Sequence, residues 1–377
     1  MTPMTEADKG VGGVAVVVDL LKAMSEIAPP SLAESWDNTG LLVGDIRSSM
    51  KRGLLCIDYT SEVARECDEL GVDTVVAYHP TIFEPMRNLR AGDVVFEAVR
   101  AGRAIYCPHT ALDLADGGTN DVLAEAIGMV SLQPLKPRDC PDSNNVKLVV
   151  FVPDSGVEQV ADAMYSAGAG QIGAYRRCSF RSNGTGTFFG LDSANPVVGK
   201  AGRDERVVEV RLEVVVPVQR LGVVIDAMKT AHSYETPAYD VYRLVDGQQR
   251  GAGRFGTLAA ETTVEHLVAR LKVILGLSHV LVAGPLDKKI VTAACCAGSC
   301  GKLLDAALAK RADVYVTGEI KHHDALRAAA AGLTVICTLH SNSERATLPV
   351  LQKRLAKMLP QVQWMLSKAD RDPLVVV

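Results

Sequence analysis

Several signals are missing from this chain, and each absence narrows what it does. No block of Lys and Arg is dense enough to neutralise a row of phosphates, and the formal net charge is −4. An obligate nucleic-acid partner is therefore not expected. No long apolar run occurs either; the stretch 14–24 is broken by Asp19 and Lys22, which rules it out as a membrane span. The opening MTPMTEADKG lacks the basic-then-apolar layout of a secretory leader. The glycine-rich GVGGVAV (10–16) lacks the Gly-Lys-Ser/Thr ending of a phosphate-binding loop. The expectation is a soluble, cytoplasmic protein.

A disulfide framework is not expected. The nine cysteines are scattered at 56, 67, 107, 140, 178, 295, 296, 300 and 337, with no secretory context, so they read as reduced thiols. Their one cluster is CCAGSC (295–300). Its spacing could hold part of a zinc site, but no second Cys/His pair at finger spacing accompanies it. The competing reading makes Cys295 and Cys296 buried small hydrophobes that end a strand before a Gly/Ser turn.

What is present is the balance of a globular protein, 48% hydrophobic and 22% charged, in 377 residues that allow two or three domains. Strand and helix signals alternate from the start: helix over 15–24, strand 53–58, helix 61–70, strand 73–79, helix 94–100, strand 104–108. Such a rhythm predicts βαβ units with largely parallel pairing. A polar, Pro-rich run, QPLKPRDCPDSNN (133–145), reads as a linker. Beyond it an internal echo appears. VVFVPDSGVEQVADAMYSAGAG is answered some sixty residues later by LEVVVPVQRLGVVIDAMKTAHS, each a β-branched strand, a Pro and an amphipathic helix carrying DAM. With strand-like sequence after each, this predicts a βαββαβ ferredoxin-like module over 146–246. After DGQQRGAGRFG the earlier rhythm resumes to the end of the chain. The expected division is one discontinuous α/β domain, 1–140 with 250–377, interrupted by the module.

Five of eight histidines fall in short polar motifs after predicted strands: His79 (AYHP), His109 (CPHTALD), His322 and His323 (TGEIKHHD), and His340 (TLHSNSE). Pro80 places His79 at a strand end, and such ends project where α/β proteins build their sites. His109 precedes Asp113, and His340 precedes Glu344, by one helical turn. Each pair can present imidazole and carboxylate to one point, a donor set that suits Mn²⁺, Fe²⁺ or Zn²⁺, and two pairs could hold two ions. Packing offers alternatives: Ser341 and Glu344 as a capping box, and Asp113 as a cap on the turn before DGGTND. His232, His266 and His279 read as ordinary surface or core residues.

SWDNTGLLVGD (35–45), AYHPTIF, HTALDLADGGTND (109–121), ADVYVTGEIKHHDAL (312–326) and HSNSERATLP (340–349) occur in order, and together they resemble the Nif-three-like family, whose members bear the label GTP cyclohydrolase 1 type 2 homologue. The resemblance covers both outer segments, and the module between them resembles the PII/CutA-like domain of longer members. It implies a pair of α/β halves around a di-metal centre, in dimers that associate into a homohexamer. It implies His79, Asp113, His340 and Glu344 as ligands, with Glu344 or Asp113 bridging. His109, Glu319 and His323 match positions near the site; Glu319 and His323 are candidate acid/base residues, and Glu319 could instead cap the helix after it. Asp37 and Asn38 lie in a loop expected to line the same cavity, or simply form a turn. Many members read His-His-Pro where this chain reads Tyr78-His79-Pro80. One metal position thereby lacks a nitrogen ligand, and water or a Tyr78 phenolate would have to fill it. Deprotonating a phenol with a pKa near 10 costs about 4 kcal/mol at neutral pH, so unequal positions are expected.

Two functional classes follow. One is a metal-dependent hydrolase acting on an unidentified phosphoester, nucleotide or cyclic amide. The other is a metal-binding scaffold, metallochaperone or regulator without catalysis.

Overall fold

The computed structural model describes residues 14–137, 145–244 and 251–375. The chain divides into two compact units: Met1–Arg138 with Gln249–Val377, and Asp139–Gln248.

The first unit carries two mixed sheets, each wrapped around a parallel centre. In one, Arg52–Cys56, Thr74–Ala77 and Ala104–Cys107 run parallel, with Gln363–Leu366 parallel at one edge and Gly40–Val43 antiparallel at the other. Thr74–Ala77 is buried along its whole length, as expected of a strand covered on both faces. Helices Ser61–Leu70 and Val94–Arg100 supply the crossovers, and the former is capped by the Thr60 hydroxyl accepting from Val63 N–H. Val63 and Cys67 on that helix pack onto Leu54, Val75 and Ile105 of the sheet. Fully burying side chains of this size contributes about 1.5–3 kcal/mol each. In the other sheet Lys289–Cys296, Val314–Thr317 and Thr334–Cys337 run parallel, with helices Leu304–Ala309 and His322–Ala330 between them. Its antiparallel edges are Leu281–Ala283 on one side and Gly251–Thr263 with Met129–Pro137 on the other.

Some expectations need correction. The segment read as a linker begins as strand: Met129–Pro137 pairs with Gly251–Thr263, and only 138–144 of the remainder lie outside the described residues. Met129–Pro137 is the outermost strand, where Pro134 and Pro137 are tolerated because one side has no ladder to join. The glycines of the second joint sit where a side chain would collide; a Cβ on Gly253 would lie 2.6 Å from the Cys295 carbonyl oxygen. The helix expected over 15–24 runs instead as Val17–Ile27, because Ala15–Val16 pairs with Ser49–Met50.

The second unit has the order strand Asn145–Pro153, helix Val157–Ser166, strand Ser179–Phe189, strand Asp204–Pro217, helix Leu221–Ala231 and strand Tyr239–Arg243. Its sheet is antiparallel throughout, with the last strand beside the first, then the third and the second. The echoed DAM sequences have a packing cause: Met164 and Met228 occupy matching places in the two helices and are fully buried among Leu148, Val150 and Leu212.

Candidate metal centre

Within the first unit, the ends of parallel strands from both sheets meet. His79 stands two residues past Thr74–Ala77, and His340 three residues past Thr334–Cys337. Leu339 holds φ 71°, a left-handed conformation that costs a non-glycine residue about 1–3 kcal/mol and sets His340 at the start of the short helix His340–Arg345. One turn on, Glu344 is buried. Its carboxylate reaches both rings: Oε2 is 3.2 Å from His79 Nε2, and Oε1 is 3.4 Å from His340 Nε2.

His79, His340 and Glu344 form a group that could hold a metal ion, one donor atom from each lying within 4.8 Å of the others. Two of these atoms, His79 Nε2 and Glu344 Oε2, are sealed from solvent yet make no hydrogen bond. The two lie 3.2 Å apart, within ion-pair distance of each other. Buried polar groups are rarely left this way, and an unplaced cation is one of the recognised reasons. The donor set fits a first-row divalent ion.

Each imidazole is backed by a carboxylate on its other nitrogen. His79 Nδ1 meets Asp58 Oδ1 at 2.9 Å, and His340 Nδ1 meets Glu319 Oε1 at 3.3 Å. This arrangement fixes a ligating histidine's ring and raises its basicity. Burial alone would lower the His79 pKa, but Asp58 and Glu344 together push it up to about 10. Without an ion the ring therefore carries a proton in the place a cation would take. Asp370 ties the two strand ends together, accepting Ile57 N–H at 2.8 Å and pairing with Arg345 of the His340 helix.

The other expected ligand, Asp113, is not one of these three. Asp113 is half-buried and accepts a hydrogen bond from the Tyr78 hydroxyl, which also lies 3.1 Å from Thr119 Oγ1. Burial pushes the Asp113 carboxyl up to about 6 and, with the Asp113 charge beside it, drives the Tyr78 phenol well above its ordinary value. His109 opens its helix with φ 30°, and its Nδ1 turns to Asp37 Oδ1 at 2.7 Å. Burial opposes ionisation of Asp37, yet the bonds from His109 and Thr110 hold its carboxyl below the usual range. Asn38 donates to the Ile82 carbonyl at 2.6 Å.

Glu319 is exposed and does not cap the following helix, whose N-cap is Lys321 with no side-chain bond. His323 is exposed, with its ring against His322. The proposed capping box at Ser341 is not formed; the Ser341 hydroxyl donates to Asp372 instead. Sequence reasoning missed Asp58, whose only signal is its place at the end of an apolar strand, and the bridging role of Asp370. At 295–300 Cys295 and Cys296 are buried at a strand's end as expected, but Cys296 and Cys300 form a disulfide rather than staying reduced.

Two sheets of parallel-centred α/β type bring two imidazoles and a carboxylate to one point, a group that could hold a metal ion. The sequence pattern of Duf34/NIF3 (NGG1p interacting factor 3) matches residues 15–373, and the chain belongs to that family. It is 35% identical to a Halalkalibacterium halodurans protein called GTP cyclohydrolase 1 type 2 homolog, over 93% of this chain and 96% of that one. A Bacillus subtilis protein with the same name is 34% identical over 94% and 96%. The crystal structure of a Bacillus cereus protein related to NIF3 superposes with a TM-score of 0.79 at 35% identity, covering 97% of this chain and 100% of that one. Among the described residues no helix is long and apolar enough to cross a membrane.

Proposed function

We propose that this protein binds a divalent cation, Zn²⁺, Mn²⁺ or Fe²⁺, through His79, His340 and Glu344, and uses it in hydrolysis. The observation that carries the reading is the convergence of one donor atom each from His79, His340 and Glu344 within 4.8 Å, with His79 Nε2 and Glu344 Oε2 sealed from solvent. A bound ion would lower the pKa of a water and draw electrons from a phosphoryl or amide carbonyl group. The chain's own residues do the rest. Asp58 and Glu319 orient the two imidazoles, and Glu319, exposed beside His340, takes the proton released as water attacks. His323 is the second candidate for that proton.

Asp113 belongs to a second metal position that the Tyr78 hydroxyl occupies as a hydrogen-bond donor, so one ion is held firmly and a second only weakly. We further read the second unit as a ferredoxin-like module of PII/CutA type, on its element order and sheet order. The assembly is taken to be a homohexamer, a trimer of dimers, in the cytoplasm, without nucleic acid or membrane.

Turnover tests the hydrolase. Protein loaded with Mn²⁺ should cleave a member of a phosphoester, nucleotide and cyclic-amide panel, and His340→Ala should abolish it. One observation favours a non-catalytic regulator instead: the second unit has a cavity of about 540 Å³ lined by Phe151, Gly184, Glu209, Arg211 and Tyr234, large enough for a small ligand. Silence across the whole panel would select that reading.

A further inference from the structure

The Cys296–Cys300 bridge lies against the metal centre. Cys296 is the last residue of Lys289–Cys296 and is buried, whereas Cys300, four residues on, is partly exposed. The bridged loop carries Gly298, and Gly298 is built into the wall of the site. A Cβ placed there would lie 2.7 Å from Glu344 Oε1 and 3.6 Å from His340 Nε2. The Gly298 N–H donates to Ser343 Oγ at 2.7 Å, and Ser343 stands between the two ligands in sequence. Its carbonyl accepts from Gly318 N at 3.0 Å, Glu319 N at 3.1 Å and Thr317 Oγ1 at 3.3 Å, which sets the strand end that presents Glu319 to His340. Four groups around the ion site thus depend on where one residue of a five-residue ring is held.

We propose that Cys296 and Cys300 are a reversible dithiol–disulfide modification site, exchanging with low-molecular-weight disulfides and thiols, and that the bridged form holds the Gly298 wall so that the cation is bound more tightly. The inference rests on the metal-centre reading for its effect on affinity, but not for the chemistry of the bridge. In the oxidising direction the Cys300 thiolate attacks a disulfide RSSR, forming a Cys300–SR mixed disulfide and releasing RS⁻. The Cys296 thiolate then attacks Cys300 Sγ, the intramolecular S–S bond forms and a second RS⁻ departs. Two protein thiols are oxidised and one RSSR is reduced to two RSH. Cys300 is the less buried of the two, which makes it the sulfur that meets the outside reagent, and burial makes Cys296 the resolving partner. Cys295 next door is no competitor: it is fully buried, and burial pushes its thiol up to about 12.

The full-length protein is equilibrated with excess glutathione disulfide or with a phosphine reductant, then freed of reagent. Alkylation under denaturing conditions should find two fewer thiols in the oxidised sample, with the bridge in the peptide spanning 296–300. Amide hydrogen exchange should quicken across 297–319 on reduction. Mn²⁺, chosen because thiolates compete for it poorly, should bind the reduced form about tenfold more weakly, the low end of what disturbing groups behind a ligand does. Cys300→Ser should behave as the reduced form whatever the reagent. Thiols that stay free under excess disulfide overturn the proposal, as do forms with equal exchange and equal Mn²⁺ affinity. If exchange responds but neither form binds Mn²⁺ in a His340-dependent way, the bridge stands and the metal-centre reading falls.

Discussion

Tyr78 and His79 are neighbours in sequence and opposites in chemistry. His79 faces Glu344 and His340 with a buried nitrogen that meets only the Glu344 carboxylate, at 3.2 Å, and is backed by Asp58. Tyr78 faces Asp113 and Thr119 with its hydroxyl fully engaged and its ring 1% exposed. One side of the strand end is an open donor set, while the other is a closed hydrogen-bonded cluster. A buried polar group without a partner costs about 1–3 kcal/mol, so evolution keeps one only where something else completes it. The difference teaches that donor residues alone do not define a metal position; what matters is which of them the protein leaves unsatisfied.

The strongest way to break this contrast is to remove a donor from the open side. His340→Ala should weaken Mn²⁺ binding by at least about a hundredfold, since losing a ligand exceeds the 10–100-fold cost of losing a group behind one. Calorimetric titration reads it; an unchanged affinity would remove His340 from the site.

On the closed side the effect should appear in stability rather than in affinity for the first ion. Tyr78→Phe leaves the half-buried Asp113 carboxyl without its donor and should cost about 1–3 kcal/mol in urea unfolding. Its first-ion affinity should match wild type. A protein as stable as wild type but defective in metal binding would reverse the assignment of the two sides.

Asp58→Asn sharpens the open side. Losing the carboxylate behind His79 should weaken the ion about tenfold and lower the His79 pKa, visible as an earlier imidazole titration by NMR.

Proton competition gives the gentlest lever. His79 is raised from an ordinary value near 6.5 to about 10 in the metal-free fold. Its contribution to stability is therefore full below about 6.5 and lost as pH rises through about 10. Metal must displace that proton, so affinity should climb about tenfold per pH unit above neutrality until the ring titrates. A flat profile between pH 7 and 9 would mean the ring is already neutral.

Much of this was legible in the sequence for identifiable reasons. The helix Ser61–Leu70 and the strands Thr74–Ala77 and Val314–Thr317 follow from apolar periodicity and from punctuation such as Gly71. His79, His340 and Glu344 stood out because polar motifs after strands gather at sheet edges. The strands Met129–Pro137 and Gly251–Thr263 were hidden by Pro and Gly, which signal loops unless the strand is an edge or its partner's backbone lies close. Asp58 and Asp370 were invisible because their roles are long-range: Asp370 bonds Ile57 across more than three hundred residues. The one-turn spacing of His109 and Asp113 is not that of a regular helical pair, since His109 takes φ 30° and turns its Nδ1 to Asp37.

The contrast between the two sides is tested most directly by counting ions. Wild-type protein dialysed against dilute Zn²⁺ and analysed by inductively coupled plasma mass spectrometry should retain close to one equivalent per chain. Tyr78→His, which replaces the hydroxyl with an imidazole beside Asp113, should approach two. Two equivalents in the wild type, unchanged in Tyr78→His, would contradict the account.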